Sequence, residues 1–222
     1  MKHFFKFVLI LLPWRLKRFC LIRFFGFNLH PTARIGLSWV YPSQLMMEEG
    51  SKIGHFNMAI HLDGIIMKRK SSIGRSNWIT GFSSKTPSRH FQHQPERISM
   101  LTMHEGAAIT KHHHIDCTSP VTIGKFTTIA GYYSQLLTHS IDIIESRQDS
   151  RPIIIGDYCF VGTNVVVLGG SQLPDYSVLG AKSLLNKSFE TPYALYAGQP
   201  AIYVKAIDKE AKYFTRNEAF VY

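Results

Sequence analysis

The sequence predicts an all-β protein in which short strands coil into a three-sided prism. Branched aliphatic residues recur at every sixth position in the second half of the chain, at Ile155, Val161, Val167, Leu173, Leu179 and Leu185. Earlier stretches repeat this spacing with interruptions. Ile155 and Leu173 lie eighteen positions apart, as do Ile35 and Ile53. A repeat of six inside a repeat of eighteen means three strands in every turn.

Each strand of such a prism sends one aliphatic side chain inward, and successive coils stack about 4.8 Å apart. The shift of eighteen predicts three stacked pairs, Ile155 on Leu173, Val161 on Leu179 and Val167 on Leu185. Glycine follows several inward residues, as at Gly156 and Gly162, where a larger side chain would collide with the turning backbone. No helical spacing explains these positions.

The regular spacing divides the chain into three parts. Residues 1–30 form a basic amphipathic segment that is expected to be helical, residues 31–190 form the prism, and residues 191–222 form a closing segment with a short helical tail on the prism end. The spacing is lost at about 80–104 and again at 136–152, and both stretches are predicted to be loops that leave the prism. The three cysteines have no paired spacing, which argues against a disulfide framework or a four-thiolate zinc site.

The N-terminal segment carries most of the net charge of +10. No Asp or Glu precedes Glu48, and seven basic residues do: Lys2, Lys6, Arg15, Lys17, Arg18, Arg23 and Arg34. This uneven distribution argues against a nucleic-acid partner. Basic residues interleaved with Phe, Leu and Trp are typical of a helix in the headgroup region of an anionic leaflet. The alternatives are a helix packed on the protein or on a partner, and a cleaved signal peptide.

Several motifs resemble those of one enzyme family. They are "HHIDC" at 113–117, Ile123-Gly124, Thr138-His139 and "AGQPAIYVKAI" at 197–207. On these residues the chain resembles the hexapeptide-repeat acyltransferases, left-handed parallel β-helices that include galactoside, maltose and xenobiotic acetyltransferases. The resemblance covers about residues 31–207 and is nearest to the colanic-acid and other surface-polysaccharide O-acetyltransferases. It implies a left-handed prism, coenzyme A-dependent acyl transfer and a homotrimer with its site between neighbouring chains.

His139 lies in the second predicted loop, within "QLLTHSIDIIE" at 135–145. The resemblance implies that it removes the proton from a substrate hydroxyl, which then attacks the thioester of an acyl-coenzyme A. Imidazole suits this role because it is neutral near pH 7 yet can accept a proton. Asp142, Glu145 or a backbone carbonyl of the same loop is expected to accept a hydrogen bond from the other ring nitrogen. A structural role for His139 is the alternative.

The run "KHHHIDC" at 111–117 offers further candidates. We expect His114 and Asp116 to line the acceptor pocket near His139. Three adjacent histidines also raise the possibility of zinc, but neighbours on a strand alternate between faces, so only His112 and His114 share a side. Two ligands do not complete a site, and no metal is expected. Surface exposure without function is the remaining alternative for this run.

The resemblance also places coenzyme A along the late coils. Matched by motif, five residues are expected to contact it: Thr163 and Ala181 beside the pantetheine arm, Asn186 and Lys187 further along, and Lys205 near the phosphates. Ile202 stands where the family often has a cation, and there the sequence departs from the family pattern. Each lysine also has an ordinary interpretation as a solvated surface charge.

The sequence therefore predicts a coenzyme A-dependent O-acyltransferase, with acetyl-CoA as co-substrate and direct transfer without an acyl-enzyme. The expected acceptor is a sugar hydroxyl of a free or lipid-linked saccharide in surface polysaccharide biosynthesis. The expected location is the inner face of the cytoplasmic membrane, with residues 1–26 as the peripheral anchor. A zinc-dependent carbonic anhydrase-like enzyme, and a non-catalytic scaffold or sugar-binding protein, are the alternatives. O- versus N-acylation and acyl-chain length stay open.

Overall fold

The computed structural model describes residues 2–219 and 221. Two helices open the chain, α1 (Lys2–Leu11) and α2 (Trp14–Phe25), and a third, α3 (Lys212–Thr215), lies near its end. Between α2 and α3 run the strands β1 (Asn28–Leu29), β2 (Arg34–Ile35), β3 (Trp39–Tyr41), β4 (Gln44–Met47), β5 (Lys52–Ile53), β6 (Met58–Ile60), β7 (Gly64–Met67), β8 (Ser72–Arg75), β9 (Trp78–Thr80), β10 (Met100–Met103), β11 (Ala108–Lys111), β12 (His114–Asp116), β13 (Val121–Ile123), β14 (Thr128–Ile129), β15 (Gln135–Leu137), β16 (His139–Asp142), β17 (Arg147–Ser150), β18 (Ile153–Ile155), β19 (Phe160–Val161), β20 (Val166–Leu168), β21 (Gln172–Leu173), β22 (Val178–Leu179), β23 (Leu184–Leu185), β24 (Ala194–Gly198) and β25 (Ala201–Ala206).

Three sheets form the faces of a three-sided prism. The first face has the order β1-β4-β7-β10-β13-β18-β21, the second β2-β5-β8-β11-β14-β19-β22-β24-β25, and the third β23-β20-β15-β12-β9-β6-β3. Neighbours within these faces run parallel, except that β25 is antiparallel to β24. One strand from each face therefore makes one coil, as the repeat of eighteen predicts.

The predicted stacking of the late coils is confirmed. The register places Ile155 on Leu173, Val161 on Leu179 and Val167 on Leu185. All six side chains are fully buried. Burial of one such side chain stabilises the fold by about 1.5–3 kcal/mol, so the stacked aliphatic side chains are the main source of stability.

Pro13 divides the N-terminal segment into two helices where the sequence predicts one. Proline has no N–H to donate and its ring clashes with the preceding turn, so α1 ends at Leu11 and α2 begins at Trp14. Gly26 ends α2 in the left-handed conformation, with φ 68°, that a helix terminus often requires. Within residues 2–219 and 221, no helix is both long and apolar enough to cross a membrane.

The helix α2 packs on the first coil. Leu21 is buried there, Lys17 Nζ donates to the Gly36 carbonyl at 2.6 Å, and an Arg18 Nη donates to the Leu29 carbonyl at 2.7 Å. Burial lowers the pKa of Lys17 to about 8. One side of the N-terminal segment therefore packs on the protein itself, which was the second of its three predicted interpretations.

Two insertions leave the prism at the corner between the third and first faces. The first occupies residues 81–99 and is shorter than the loop predicted at 80–104, because Met100–Met103 forms β10 with Leu101 in the core. The second, predicted at 136–152, begins only after Leu137, because residues 135–137 form β15. It is a hairpin of the antiparallel strands β16 and β17.

An aromatic column follows the corner between the first and second faces. Phe126, Tyr158, Tyr176 and Tyr193 occupy this corner in successive coils with φ of 54–55°. The left-handed conformation costs about 1–2 kcal/mol per residue, and ring stacking, with centroids 4.7 Å apart for the last pair, offsets part of that cost. Phe214 of the tail packs edge-on against Tyr176 and Tyr193. The tail, expected on the prism end, therefore lies along its side.

The chain reverses direction in the last coil. β24 continues the second face in parallel, and β25 then pairs with β24 in the antiparallel sense. Tyr196 points inward above Leu179 and is fully buried, and its ring stacks on Phe189 at 4.1 Å between centroids. These two rings cover the end of the aliphatic core.

Candidate active site

The hairpin starts beside the strand that carries Asp116. β12 and β15 are neighbours in the third face, and their register pairs Asp116 with Leu137. The next two residues, Thr138 and His139, turn out of the prism into β16. Asp116 and His139, 23 residues apart in the sequence, therefore meet at this corner.

A short contact joins the two residues. His139 Nδ1 lies 2.8 Å from Asp116 Oδ2. Asp116 is only 3% exposed, whereas the side chain of His139 is 45% exposed. An ionised carboxylate can only accept, so Nδ1 carries the proton and Nε2 is the free nitrogen of the neutral ring. Nε2 makes no hydrogen bond to any residue that the structure describes. This is the geometry of a base oriented by a buried carboxylate.

Five further hydrogen bonds surround the Asp116 carboxylate. Oδ1 accepts from the N–H and hydroxyl of Thr118 at 3.2 and 2.7 Å. Oδ2 accepts from the N–H and hydroxyl of Thr138 at 3.0 and 2.6 Å, and from the N–H of His139 at 3.1 Å. Burial raises the pKa of Asp116, but the hydrogen bonds from His139, Thr138 and Thr118 outweigh it and lower the pKa to about 2. The carboxylate is therefore ionised at neutral pH.

The same pairing raises the pKa of His139. The hydrogen bond to Asp116 outweighs the partial burial of the ring and the positive charge of Arg97, both of which lower the pKa. Arg97 belongs to loop 81–99, and its Nη1 donates to the carbonyls of Phe82 and Thr118 at 2.5 and 2.6 Å. One anion and one cation therefore set the basicity of the ring.

An open cleft of about 260 Å³ lies beside His139, between the hairpin and the later coils. Gly169 lines it and has no room for a side chain, because a Cβ would lie 2.6 Å from the Thr138 carbonyl oxygen. The Gly169 N–H donates to no carbonyl or side chain within residues 2–219 and 221. Asn186, one of the predicted donor-site residues, lines the same cleft.

The comparisons with known proteins agree with this architecture. No family model matches the chain. A probable macrolide acetyltransferase from Lysinibacillus sphaericus is 36% identical over 69 residues, which are 31% of this chain and 36% of that relative. The match thus spans about a third of the relative's length.

Two solved structures superpose on most of the chain. One is a hexapeptide-repeat-containing acetyltransferase from Vibrio cholerae, with 21% identity and a TM-score of 0.52 over 64% of this chain and 73% of that chain. The other is a variant of AntD, an N-acyltransferase from Bacillus cereus in complex with dTDP-4-amino-4,6-dideoxyglucose and coenzyme A, with 10% identity and a TM-score of 0.54 over 79% and 83%. This chain has the left-handed hexapeptide-repeat fold.

On this hexapeptide-repeat fold, the acids and histidine predicted near His139 fall into two groups. His114 projects outward from the third face on the same strand as Asp116. Asp142 and Glu145 lie far out on the hairpin, where Asp142 Oδ1 accepts two backbone N–H groups of the turn at 3.1 and 3.2 Å. The carboxylate that meets Nδ1 therefore comes from the prism and not from the hairpin.

The five predicted donor-site residues do not converge in one chain. Asn186 and Lys187 follow β23 at the corner of His139, Thr163 and Ala181 lie at the corner between the second and third faces, and Lys205 is exposed on β25. The width of the third face therefore separates the predicted pantetheine residues from His139.

The three adjacent histidines do not lie on one strand, so the expected sharing of a side by His112 and His114 does not apply. His112 occupies a corner with φ 56°. His113 is buried, accepts from the Ser134 N–H at Nδ1 over 3.1 Å, and has Nε2 2.9 Å from Thr110 Oγ1. Burial lowers its pKa to about 4. In the described part of the chain, no group of three or more His, Cys, Asp or Glu is placed to hold a metal ion.

Sequence reasoning missed the polar residues around the Asp116–His139 pair. Thr118 follows Asp116 by two positions, a spacing at which a carboxylate commonly accepts the backbone N–H, and this local signal was available. Arg97 had no such signal, because it reaches the site from an insertion that begins two coils earlier along the third face.

Proposed function

We propose that this chain is a coenzyme A-dependent O-acyltransferase that moves an acetyl group to a sugar hydroxyl. One observation carries the proposal: His139 has Nδ1 held by a buried, ionised carboxylate and Nε2 free beside an open cleft. A ring held in this way is ready to accept a proton at Nε2 and at no other atom.

The proposed step is direct transfer. His139 Nε2 takes the proton of the acceptor hydroxyl while that oxygen attacks the thioester carbonyl carbon of acetyl-CoA, and Asp116 stabilises the imidazolium that forms. The Gly169 N–H is the candidate donor to the oxyanion. The carbon–sulfur bond then breaks, and His139 returns the proton to the departing thiolate. Cys117 and Cys159 are buried, which disfavours an acyl-enzyme on either thiol.

We place the complete site between neighbouring chains of a homotrimer. The predicted pantetheine residues lie across the third face from His139, so a neighbouring chain has to present them to its cleft. The third face also has apolar side chains to cover, because Trp78 is 51% exposed and Leu168 is 37% exposed. At the hairpin tip, Ile143 and Ile144 are 86% and 92% exposed. Burial of these surfaces against a neighbour would stabilise the assembly.

The acyl donor would lie along the edges of the third face. Thr163 and Ala181 of one chain would flank the pantetheine arm, while Asn186 lines the cleft of the other chain. Lys187 and Lys205 are the cations proposed for the phosphates. The complex of AntD with coenzyme A on a similar fold supports this choice of donor.

The acceptor is proposed to be a saccharide of the cell surface. AntD, on a similar fold, is seen with a nucleotide-linked sugar, and the motifs around His139 resemble those of surface-polysaccharide O-acetyltransferases. His114 is exposed on the third face beside Asp116 and is the candidate contact to a sugar hydroxyl.

We propose that α1 and α2 hold the enzyme at the inner face of the cytoplasmic membrane, within reach of lipid-linked saccharides. Phe4, Phe7 and Leu11 are exposed at helical spacing on α1, and Phe19 is exposed on α2. No acidic residue precedes Glu48, so anionic headgroups would be attracted rather than repelled. Phe and Leu side chains next to basic residues are the composition of interfacial helices.

Acetyl transfer is the direct test of the proposed function. Labelled acetyl-CoA is incubated with nucleotide sugars and lipid-linked oligosaccharides, and label in the saccharide is measured. His139→Ala is expected to lower the rate by about 10²–10⁴-fold, because a general base contributes that much. His104→Ala, an exposed histidine at the corner between the first and second faces, should leave the rate unchanged. Full activity in His139→Ala would favour a binding protein or a different enzyme.

The assembly and the membrane contact have separate tests. Leu168→Glu should convert trimers to monomers in analytical ultracentrifugation, whereas Ile154→Glu, similarly exposed but on the first face, should not. The double change Phe4→Ser and Phe7→Ser should abolish flotation with phosphatidylglycerol vesicles, whereas Phe56→Ser should not. A wild-type protein that is monomeric would contradict the proposed trimer. Flotation that is unchanged by the double substitution in α1 would contradict the proposed membrane contact.

A further inference from the structure

Loop 81–99 is fastened to the prism at both ends. The Asp63 carboxylate accepts from the N–H of Ser84 at 3.1 Å and from the N–H of Ser99 at 2.9 Å. Asp63 is buried, so these bonds are shielded from water. Both ends of the loop are therefore held on the prism, on either side of its middle residues.

Gln94, in the middle of this loop, forms hydrogen bonds to the hairpin with both the nitrogen and the oxygen of its side-chain amide. Its Nε2 donates to Asp149 Oδ1 at 3.0 Å and to the Ser150 carbonyl at 2.9 Å. Its Oε1 accepts from Ser150 Oγ at 2.8 Å. In the hairpin register Ser150 lies opposite His139. Gln94, which is 56 positions from Ser150 in the sequence, thus holds the strand that pairs with the candidate base.

The donor and the acceptor of each hydrogen bond at Ser150 can be assigned. An amide oxygen can only accept, so the Ser150 hydroxyl gives its proton to Gln94 and accepts with its lone pairs. Ser119 Oγ donates to Ser150 Oγ at 2.9 Å. Ser119 and Ser150 are both buried, so the Ser119 hydroxyl depends on Ser150 for its acceptor and the Ser150 hydroxyl depends on Gln94 for its own.

Ser119 continues the network to the carboxylate. Its N–H donates to Thr138 Oγ1 at 3.0 Å. Because that N–H can only donate, the Thr138 hydroxyl is left to give its own proton to Asp116 Oδ2, at 2.6 Å. His139 Nδ1 donates to the same oxygen at 2.8 Å. An unbroken series of contacts therefore joins the loop to the base.

We propose that Gln94 is a positioning residue, which holds the hairpin and its base so that His139 keeps Nε2 toward the cleft. This inference rests on the proposed function, because His139 is a base only if the chain is an acyltransferase. The hydrogen bonds themselves do not depend on that function. The other side-chain tie between loop and hairpin in the described residues is His93 Nε2 to Asp149 Oδ1, which is longer at 3.7 Å. Loss of the Gln94 amide would leave the Ser150 hydroxyl without its acceptor and remove three hydrogen bonds between the loop and the hairpin.

The test compares Gln94→Leu with Gln92→Leu, the same change at an exposed glutamine two positions earlier. Leucine keeps the approximate size of the side chain and removes its polar atoms. We expect Gln94→Leu to lower kcat by about 10-fold, with KM for acetyl-CoA close to wild type, because small misplacement of a base is costly. The thermal unfolding midpoint should fall by a few degrees, because the buried Ser150 hydroxyl loses its acceptor, so rates are compared per amount of folded protein. Gln92→Leu should match wild type throughout.

A second readout needs no turnover. The ring protons of His139 are titrated by NMR, with His139→Asn used for assignment. In Gln94→Leu the midpoint should move toward that of an ordinary histidine, because a looser Asp116 contact stabilises the imidazolium less. Wild-type kcat with an unmoved midpoint would overturn the inference, as would activity lost only in proportion to folded protein. A moved midpoint in a protein without acetyl transfer would support the positioning role and reject the proposed function.

Discussion

Replacement of Asp116 by Asn probes the centre of the site while it keeps the shape of the side chain. The carboxylate accepts six hydrogen bonds, two at Oδ1 and four at Oδ2. An amide has one accepting oxygen, so one group of donors must face an NH2 group whichever way the amide is turned. In the better orientation the Thr118 N–H and hydroxyl lose their acceptor. The hydroxyl can rotate, but the backbone N–H cannot.

Two routes give the size of the effect. A buried donor without an acceptor costs about 1–3 kcal/mol. Independently, the fall in the pKa of Asp116 from 3.8 to about 2 corresponds to roughly 2 kcal/mol of stabilisation at neutral pH. Because the folded-state pKa is the lower one, this stabilisation is present above about pH 4 and is lost as the pH falls through about 2. We expect Asp116→Asn to lower the free energy of unfolding by about 2–3 kcal/mol at pH 7.

Urea denaturation at pH 7 measures the change in the free energy of unfolding. The rate of acetyl transfer as a function of pH measures the effect on catalysis. Without the anion the pKa of His139 falls, so the acid limb of the rate profile should move to lower pH while the maximal rate drops by about 10²-fold or more. Asp142→Asn, in the turn of the hairpin, should change neither. Wild-type stability together with a wild-type rate profile in Asp116→Asn would refute the assignment of Asp116 as the partner of the base.

Three other changes follow from the packing of the prism. Burial holds the pKa of His113 at about 4, below the ordinary 6.5, so the folded state resists protonation of this ring. The free energy of unfolding should therefore be unaffected by His113 above pH 6.5 and fall by roughly 3 kcal/mol as the pH falls through 4. His113→Gln should flatten urea stability over that range, and an unchanged slope would contradict this. Gly74→Ala should lower the thermal unfolding midpoint sharply, because a Cβ would lie 1.9 Å from a backbone carbonyl oxygen. In Gly64→Ala the Cβ would press on the flexible end of the Met100 side chain, so the midpoint should change little. Equal midpoints in the two variants would contradict this. Leu173→Ala should cost about 2–5 kcal/mol in urea denaturation, and a value below 1 kcal/mol would show a looser core.

The regular part of the fold was open to sequence reasoning because every inward position between 155 and 185 repeats without a gap. Six-residue spacing fixes which side chains point inward, and a shift of eighteen fixes which of them stack. The shift of eighteen no longer predicts the stacked pairs where the chain leaves the prism. Ile65 stacks on Leu101, 36 positions later, because loop 81–99 adds residues between two coils. For that reason the sequence predicts a loop where the strand β10 begins at Met100.

The sequence predicts His139 as the base and places Asp116 near it as a residue of the acceptor pocket, but it does not identify Asp116 as the group that accepts from Nδ1. His139 follows an interruption of the spacing, and interruptions are where a prism can place chemistry. Its carboxylate partner lies in the preceding coil of the third face, and that register could not be counted across the irregular stretch from Ile129 to Ile155. Asp142 and Glu145 are nearer to His139 in the sequence and are therefore the predicted partners, but the antiparallel pairing of the hairpin places them away from the ring.

The antiparallel β25 has a consequence for solutions crowded with this protein. A column of parallel strands has open hydrogen-bonding edges at its top and bottom, so identical columns can in principle join into fibres. Here α2 lies over the first coil, and the outermost strand of the second face runs against all the others. On the second face, a strand of a second molecule could therefore not continue the parallel ladder, and this edge does not favour end-to-end growth of the prism.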